Sequence, residues 1–174
     1  FAFRIPHLNI VKVVGVCQAL VKWYIYHWGG VRGNHQSTLV LYTSSLPEQL
    51  IQRGARGIAS WSKALSVIDP QQYAIYDARV AIALNALQII YAVQQPIYYP
   101  LLSSQNKTIQ AYTLSMRPIV KTWDKMPKNA FYINYLDLLK TIAHEIGQGV
   151  THHEVEMLLF GYAEELGRLA QKHM

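Results

Sequence analysis

A single cysteine, Cys17, is all that the 174 residues contain, so an intramolecular disulfide, a cysteine-built zinc site and a four-cysteine iron–sulfur cluster are excluded. A reducing, cytoplasmic setting is the expectation that follows. Acidic residues are also scarce, 10 against 16 lysines and arginines, and the formal charge of +6 suits an anionic partner such as nucleic acid. Basic proteins without a polyanion ligand carry the same excess, and charge alone does not separate the two. No apolar run is continuous over a membrane span. The most hydrophobic early stretch, Ile10 to Trp28, holds Lys12 and Lys22 and spaces its apolar residues helically, so a buried helix is expected and a membrane partner is not. The chain opens at Phe1 rather than methionine and without a signal-peptide design, which leaves truncation or processing upstream open.

Repeats, low-complexity tracts and long charged blocks are missing as well, and strand signals are few. What is present is a 51% apolar composition, enough for a single domain over residues 1–174 with one core, or two small lobes sharing one. The first helix should stop at Gly29 and Gly30, followed by a glycine-rich loop carrying Arg32. Gln36 to Tyr42 is open between helix and strand because of its Thr, Val and Leu content. Pro47 and Glu48 after Leu46 begin a short helix. Ile58, Trp61, Leu65 and Ile68 mark a helix face, and a further helix is predicted from Ala78 to Gln94, before Pro96. A helical part of the irregular Pro96–Pro127 region is predicted from Thr108 to about Lys121. Two last helices cover Asn129 to Ile146 and Thr151 to about Lys172, the second opened by a capping box of Thr151 with Glu154. The predicted class is all-α.

The centre of the chain, about residues 46–84, carries the chemistry. Leu46 to Arg53 is followed by a tight turn, Gly54 to Gly57 in the run RGARG. A helix comes next, then a turn at Asp69-Pro70, then Asp77 at the start of another helix. A hairpin of this kind can aim successive backbone N–H groups and a helix N-terminus at a phosphate oxygen, with Arg53 and Arg56 adding charge. This layout resembles the helix-hairpin-helix DNA glycosylases. It is most similar to small bacterial proteins related to 8-oxoguanine DNA glycosylases, through Ser62, Lys63, Leu65, Pro70, Ile75, Asp77, Arg79 and Val80. The resemblance implies an all-α fold of two small helical lobes and a hairpin at Arg53, Gly54, Arg56 and Gly57 that grips DNA. It further implies an aspartate, Asp77, that serves an extruded nucleotide.

The chain departs from that pattern at two places. The usual Leu-Pro-Gly-hydrophobic-Gly hairpin keeps only its second glycine, Gly57, with Ala55 and Arg56 at the first glycine and the hydrophobic position. The lysine of lyase-competent members stands 18 residues before the aspartate, and here that position is Ala59. Lys63 lies one turn further on, on nearly the same helix face, so hydrolysis by water, or no catalysis, is expected in preference to a lysine imine.

Each candidate also has a plainer role. Asp77 can act on a sugar cation that develops as a glycosidic bond breaks, or it can simply cap its helix. Lys63 can be a catalytic amine or a surface lysine with a buried stem. Arg79 either contacts phosphate or pairs with a carboxylate. Tyr98, Tyr99, Tyr112 and Trp123 can stack on an unpaired base or fill a core. His144, His152, His153 and Glu154 flank a turn, but His-Glu-Ile-Gly-Gln is not a zinc-protease motif, and neither a metal nor a cofactor is expected. The expected function is DNA binding with excision of an altered purine through Asp77. Two alternatives stay open: a non-catalytic DNA-binding or interaction module on the same scaffold, for example in phage defence, and a helical enzyme of unrelated chemistry using the late histidines.

Overall fold

The computed structural model describes residues 18–28 and 33–174. The expected stop at Gly29 and Gly30, Arg32, and the first half of the Ile10–Trp28 helix lie outside the described residues. Those residues are organised into helices and connecting turns, with one isolated parallel bridge between Ile97 and Asp124, and the fold they form is all-α. No helix among them is long and apolar enough to cross a membrane.

Helix α1 covers residues 18–28 and ends in a π-helical turn, Tyr24–Trp28. It buries Val21 and Ile25 and packs on α4. The ambiguous segment is helical, α2 (Gln36–Ser44), with Leu39 and Tyr42 inward. Thr43 and Ser44 hydroxyls donate back to the carbonyls of Leu39 and Val40, so residue types with strand preference are accommodated within the last helical turn. Pro47 opens α3 (Pro47–Ile51) at a position where its missing N–H costs nothing. Residues 52–57 form the turn, and α4 (Ile58–Ile68) has the predicted limits.

Helix α5 (Ala78–Ile90) is the centre of the molecule. Val80 to Ala86 are all buried, and its most extensive contact is with α8. It ends four residues before the predicted Gln94. The Gln88 side chain brackets Ile97, accepting from its N–H at 2.7 Å and donating to its carbonyl at 3.0 Å, and Ala92 takes a left-handed φ of 47°. Buried Asn85 acts likewise on Tyr99, donating to its carbonyl at 2.8 Å. Two polar side chains of α5 thus replace the ladder that a strand would otherwise need.

Asn106 caps α6 (Lys107–Val120), which turns Ile109, Thr113, Met116 and Val120 inward. Helix α7 (Phe131–Ile146) begins two residues later than predicted, and α8 (His152–Ala170) carries the expected Thr151/Glu154 capping box. Two buried tyrosines of α7 hold the extended strand of chain that leads into α5. Tyr132 donates to the Ala74 carbonyl at 2.7 Å and Tyr135 to that of Ile75 at 2.6 Å. Ser62 of α4 accepts from Tyr76 N–H at 3.1 Å. Asp77 therefore follows a segment fixed from two sides.

Candidate active site

Lys63 is the least expected finding. Only 4% of it is exposed, so the surface-lysine reading is corrected: the side chain runs under α4 rather than out of it. Helical side chains lean toward the N-terminus of their helix, and Nζ donates to the carbonyl of Ala59, one turn back, at 2.8 Å. Burial pulls the Lys63 ammonium below the usual lysine range, and the negative charges of Asp77 and Glu156 partly restore it.

Asp77 sits at the N-terminus of α5, half-buried, and its Oδ1 accepts from the N–H groups of Arg79 at 2.9 Å and Val80 at 3.1 Å. The capping role is thus realised. It uses one carboxylate oxygen, and Oδ2 lies outside the cap bonds. Lys63 and Asp77 both line a cavity of about 430 Å³, together with Tyr24, Ser66, Val67 and Ile75 and with His153, Glu156, Met157 and Phe160 of α8. Small-molecule sites are commonly about 300–1,000 Å³, mainly apolar with a few polar groups, and this cavity has that character.

Glu156 escaped the sequence reading. It is only 7% exposed, and burial pushes its carboxyl up to about 7, against the partial relief of the Ile75 N–H and the His153 charge. Its Oε2 is 3.5 Å from Ile75 N and 3.8 Å from His153 Nδ1, so the imidazole is at ion-pair range and not hydrogen-bonded. His153 Nε2 is 2.6 Å from the Pro70 carbonyl. A carbonyl can only accept, so Nε2 carries the proton and Nδ1 is the nitrogen facing Glu156. The signal for Glu156 was its register: Glu156, Leu159, Ala163, Gly167 and Ala170 form one buried stripe of α8, and an acid in such a stripe needs a reason.

The hairpin residues divide. Arg56 is exposed, whereas Arg53 stacks over the Tyr42 ring at 5.7 Å with Nε buried and unpaired. Gly54 and Gly57 have φ of 60° and 75°. A Cβ on Gly57 would run into the Tyr42 hydroxyl, and one on Gly54 would lie 2.8 Å from the Lys128 carbonyl. Arg56 and Ile58 N–H groups bond back to Arg53 and Ala55 at 3.4 and 3.3 Å. Beside the turn, Ala55, Lys125 and Lys128 line a shallow depression of about 180 Å³, two lysines that the sequence reading did not attach to this place.

Arg79 pairs with Glu164 at 2.7 Å and lies over the Phe160 ring at 5.2 Å, which resolves its two readings toward the carboxylate. Tyr99 is buried with its hydroxyl on Asn134 at 2.8 Å, Tyr98 and Trp123 pack against the core, and Tyr112 fills the space over Gly167. These aromatics are structural, and Tyr24 and Phe160 are the aromatic rings at the cavity. His144 is exposed on α7. Among the described residues no group of histidine, cysteine and acidic side chains is arranged to hold a metal. Of the late histidines, only His153 reaches the cavity.

Comparison with protein-family models, with curated proteins and with solved structures returns no match to this chain. The geometry of the cavity therefore carries the functional argument.

Proposed function

We propose that this protein binds DNA and excises an altered purine base, with the helix-hairpin-helix glycosylase-like arrangement around residues 46–84 and the base seated in the cavity between α4, α5 and α8. The observation that carries the reading is Lys63 Nζ at 2.8 Å from the Ala59 carbonyl, in a cavity that Asp77 also lines. The resemblance puts an amine at position 59 and a carboxylate at position 77. Here a lysine one turn later leans back to the same turn of α4, and Asp77 stands at the head of α5.

In such a site Asp77 stabilises the positive charge that grows on the sugar and orients the attacking water. Pinned to α5 by its cap bonds, the carboxylate needs no reorganisation as the charge develops. The Lys63 ammonium balances the charge of the Asp77 carboxylate. The turn at residues 53–57, with exposed Arg56 and the neighbouring Lys125 and Lys128, is the backbone-gripping element. Phosphate contacts of that sort supply affinity and orientation without base information.

Asp77 is not consumed by an ion pair with Arg79, which turns to Glu164 instead. That favours a working carboxylate over a scaffold that has lost its chemistry. The test is free-base release from duplexes carrying 8-oxoguanine, hypoxanthine or 7-methylguanine, followed by chromatography. Release from at least one is expected, and binding without release from any supports the non-catalytic module.

A second reading has its own observation. Burial lowers the Lys63 proton affinity, and a neutral amine could attack C1′ to form an imine. Borohydride added during turnover separates the routes. Water as nucleophile leaves no trapped adduct, whereas an adduct that is lost in Lys63→Gln assigns the attack to the amine.

A further inference from the structure

The chemistry above accounts for the sugar and leaves the departing base unattended. A purine leaves poorly as an anion, and protonation of a ring nitrogen makes it a neutral leaving group. Asp77 and the charged form of Lys63 are both unsuited to that step: one is the sugar's carboxylate and the other is tied to the Ala59 carbonyl. The remaining polar side chains of the cavity are Tyr24, Ser66, His153 and Glu156.

We propose that Glu156 is the general acid of base release, its carboxyl delivering a proton from the α8 wall of the cavity to a purine ring nitrogen as the C1′–N9 bond breaks. This inference rests on the base-excision reading and adds the residue that meets the base. The electron pair of the broken bond stays on the base, and the Glu156 proton passes to N7. Water adds to C1′ and gives its own proton to Asp77. The products are the free base and an abasic sugar, and solvent exchange resets both carboxyls.

The placement of Glu156 suits this task. It lines the same cavity as Lys63 and Asp77, and its Oε2 is 3.5 Å from the N–H of Ile75, two residues before Asp77. The burial that holds its proton until about pH 7 matches the acid to neutral conditions. The groups around it are Lys63 of α4, Asp77 at the head of α5, Tyr24 of α1, His153 of its own helix, and Tyr132 and Tyr135 of α7. Tyr132 and Tyr135 donate their hydroxyls to backbone carbonyls and stay neutral. His153 is anchored on Pro70 through Nε2–H and keeps Nδ1 3.8 Å from Oε2.

The experiment uses two leaving groups. Hypoxanthine has a free N7 and needs the proton; 7-methylguanine is already cationic and does not. Single-turnover release of hypoxanthine by the wild type should fall with rising pH above about 7, tenfold per unit once the acid is ionised. Glu156→Gln should be slowed about 100-fold or more on hypoxanthine, the usual scale for a lost general acid, and should lose that limb of the pH profile. On 7-methylguanine the two proteins should be within about threefold, since no acid is required. Binding to a duplex with a tetrahydrofuran abasic analogue should be unchanged and reports that the fold and DNA site are intact. Equal rates and equal pH profiles on hypoxanthine overturn the proposal and leave base excision standing. So does equal slowing on both bases. A wild type that releases neither base overturns the proposal, and base excision falls with it if 8-oxoguanine is not released either.

Discussion

Lys63 reaches back along its own helix to the carbonyl of Ala59, Nζ to O 2.8 Å, so the amine stands a full turn nearer the start of α4 than its sequence position indicates. A substitution at 63 therefore acts at the turn of residue 59. The energetic cost of the arrangement is a nearly buried ammonium with one carbonyl acceptor and two acidic neighbours.

Lys63→Met keeps length and removes the charge. It should melt at or slightly above the wild type at pH 7, because replacing a buried charge by a packed apolar chain is commonly neutral or favourable. Lys63→Ala leaves a void and should lose about 2–4 kcal/mol. The Lys63 pKa is lowered on folding, so the unfolded chain binds more protons and the wild type gains stability as pH rises through the folded value toward the unfolded 10.5. Melting curves of wild type and Lys63→Met should therefore converge or cross in the wild type's favour at alkaline pH. A gap independent of pH would contradict the burial of this charge.

Glu156 should have the opposite signature. Its carboxyl is raised from 4.5 to about 7 on folding, so between those values the folded state holds the extra proton. Stability associated with it is full below 4.5 and lost as pH climbs through about 7, by about 3 kcal/mol at most. Glu156→Gln should accordingly be more stable than the wild type at pH 8 and equal to it near pH 4. Denaturant titrations at the two pH values check this, and a Gln variant that is weaker at pH 8 would mean the carboxylate is stabilised by partners.

The hairpin is best tested at Arg56. Gly57→Ala is a poor probe, since φ of 75° and the Tyr42 hydroxyl make it a folding variant. Arg56→Glu touches an exposed side chain and should leave the melting temperature within a degree or two. DNA affinity should drop by a similar factor for every sequence, and the slope of log K against log salt should flatten by about one phosphate contact. Fluorescence anisotropy across a salt series measures both; an unchanged slope takes residues 53–57 out of the interface.

Much of the fold was legible because its helices announce themselves. The spacing Ile58, Trp61, Leu65, Ile68 predicts α4 with its observed limits, and Thr151 with Glu154 marks the start of α8. The end of α5 was not legible, since it is set by Gln88 closing on Ile97, a contact between residues that local pattern does not connect. Segment 36–44 was ambiguous for the opposite reason: its local preferences conflict, and packing of Leu39 and Tyr42 decides. Within the site, Asp77 was visible as a helix-opening acid. Lys63 was visible as a residue type but not as a buried one. Glu156 lay in a charged-looking helix whose buried stripe becomes evident only once α8 is laid against α5.

The central claim is that the cavity shared by Lys63 and Asp77 breaks a glycosidic bond, and single-turnover release of free base by wild type and Asp77→Asn on the same duplex tests it most directly. Asparagine keeps an oxygen acceptor for Arg79 and Val80 N–H, so the cap and the fold should change by less than about 1 kcal/mol. The account predicts a fall in base release of about 100-fold or more, the scale of a lost charge-stabilising group, with DNA binding retained. An Asp77→Asn protein that releases base at the wild-type rate would contradict it and leave the aspartate as a helix cap alone.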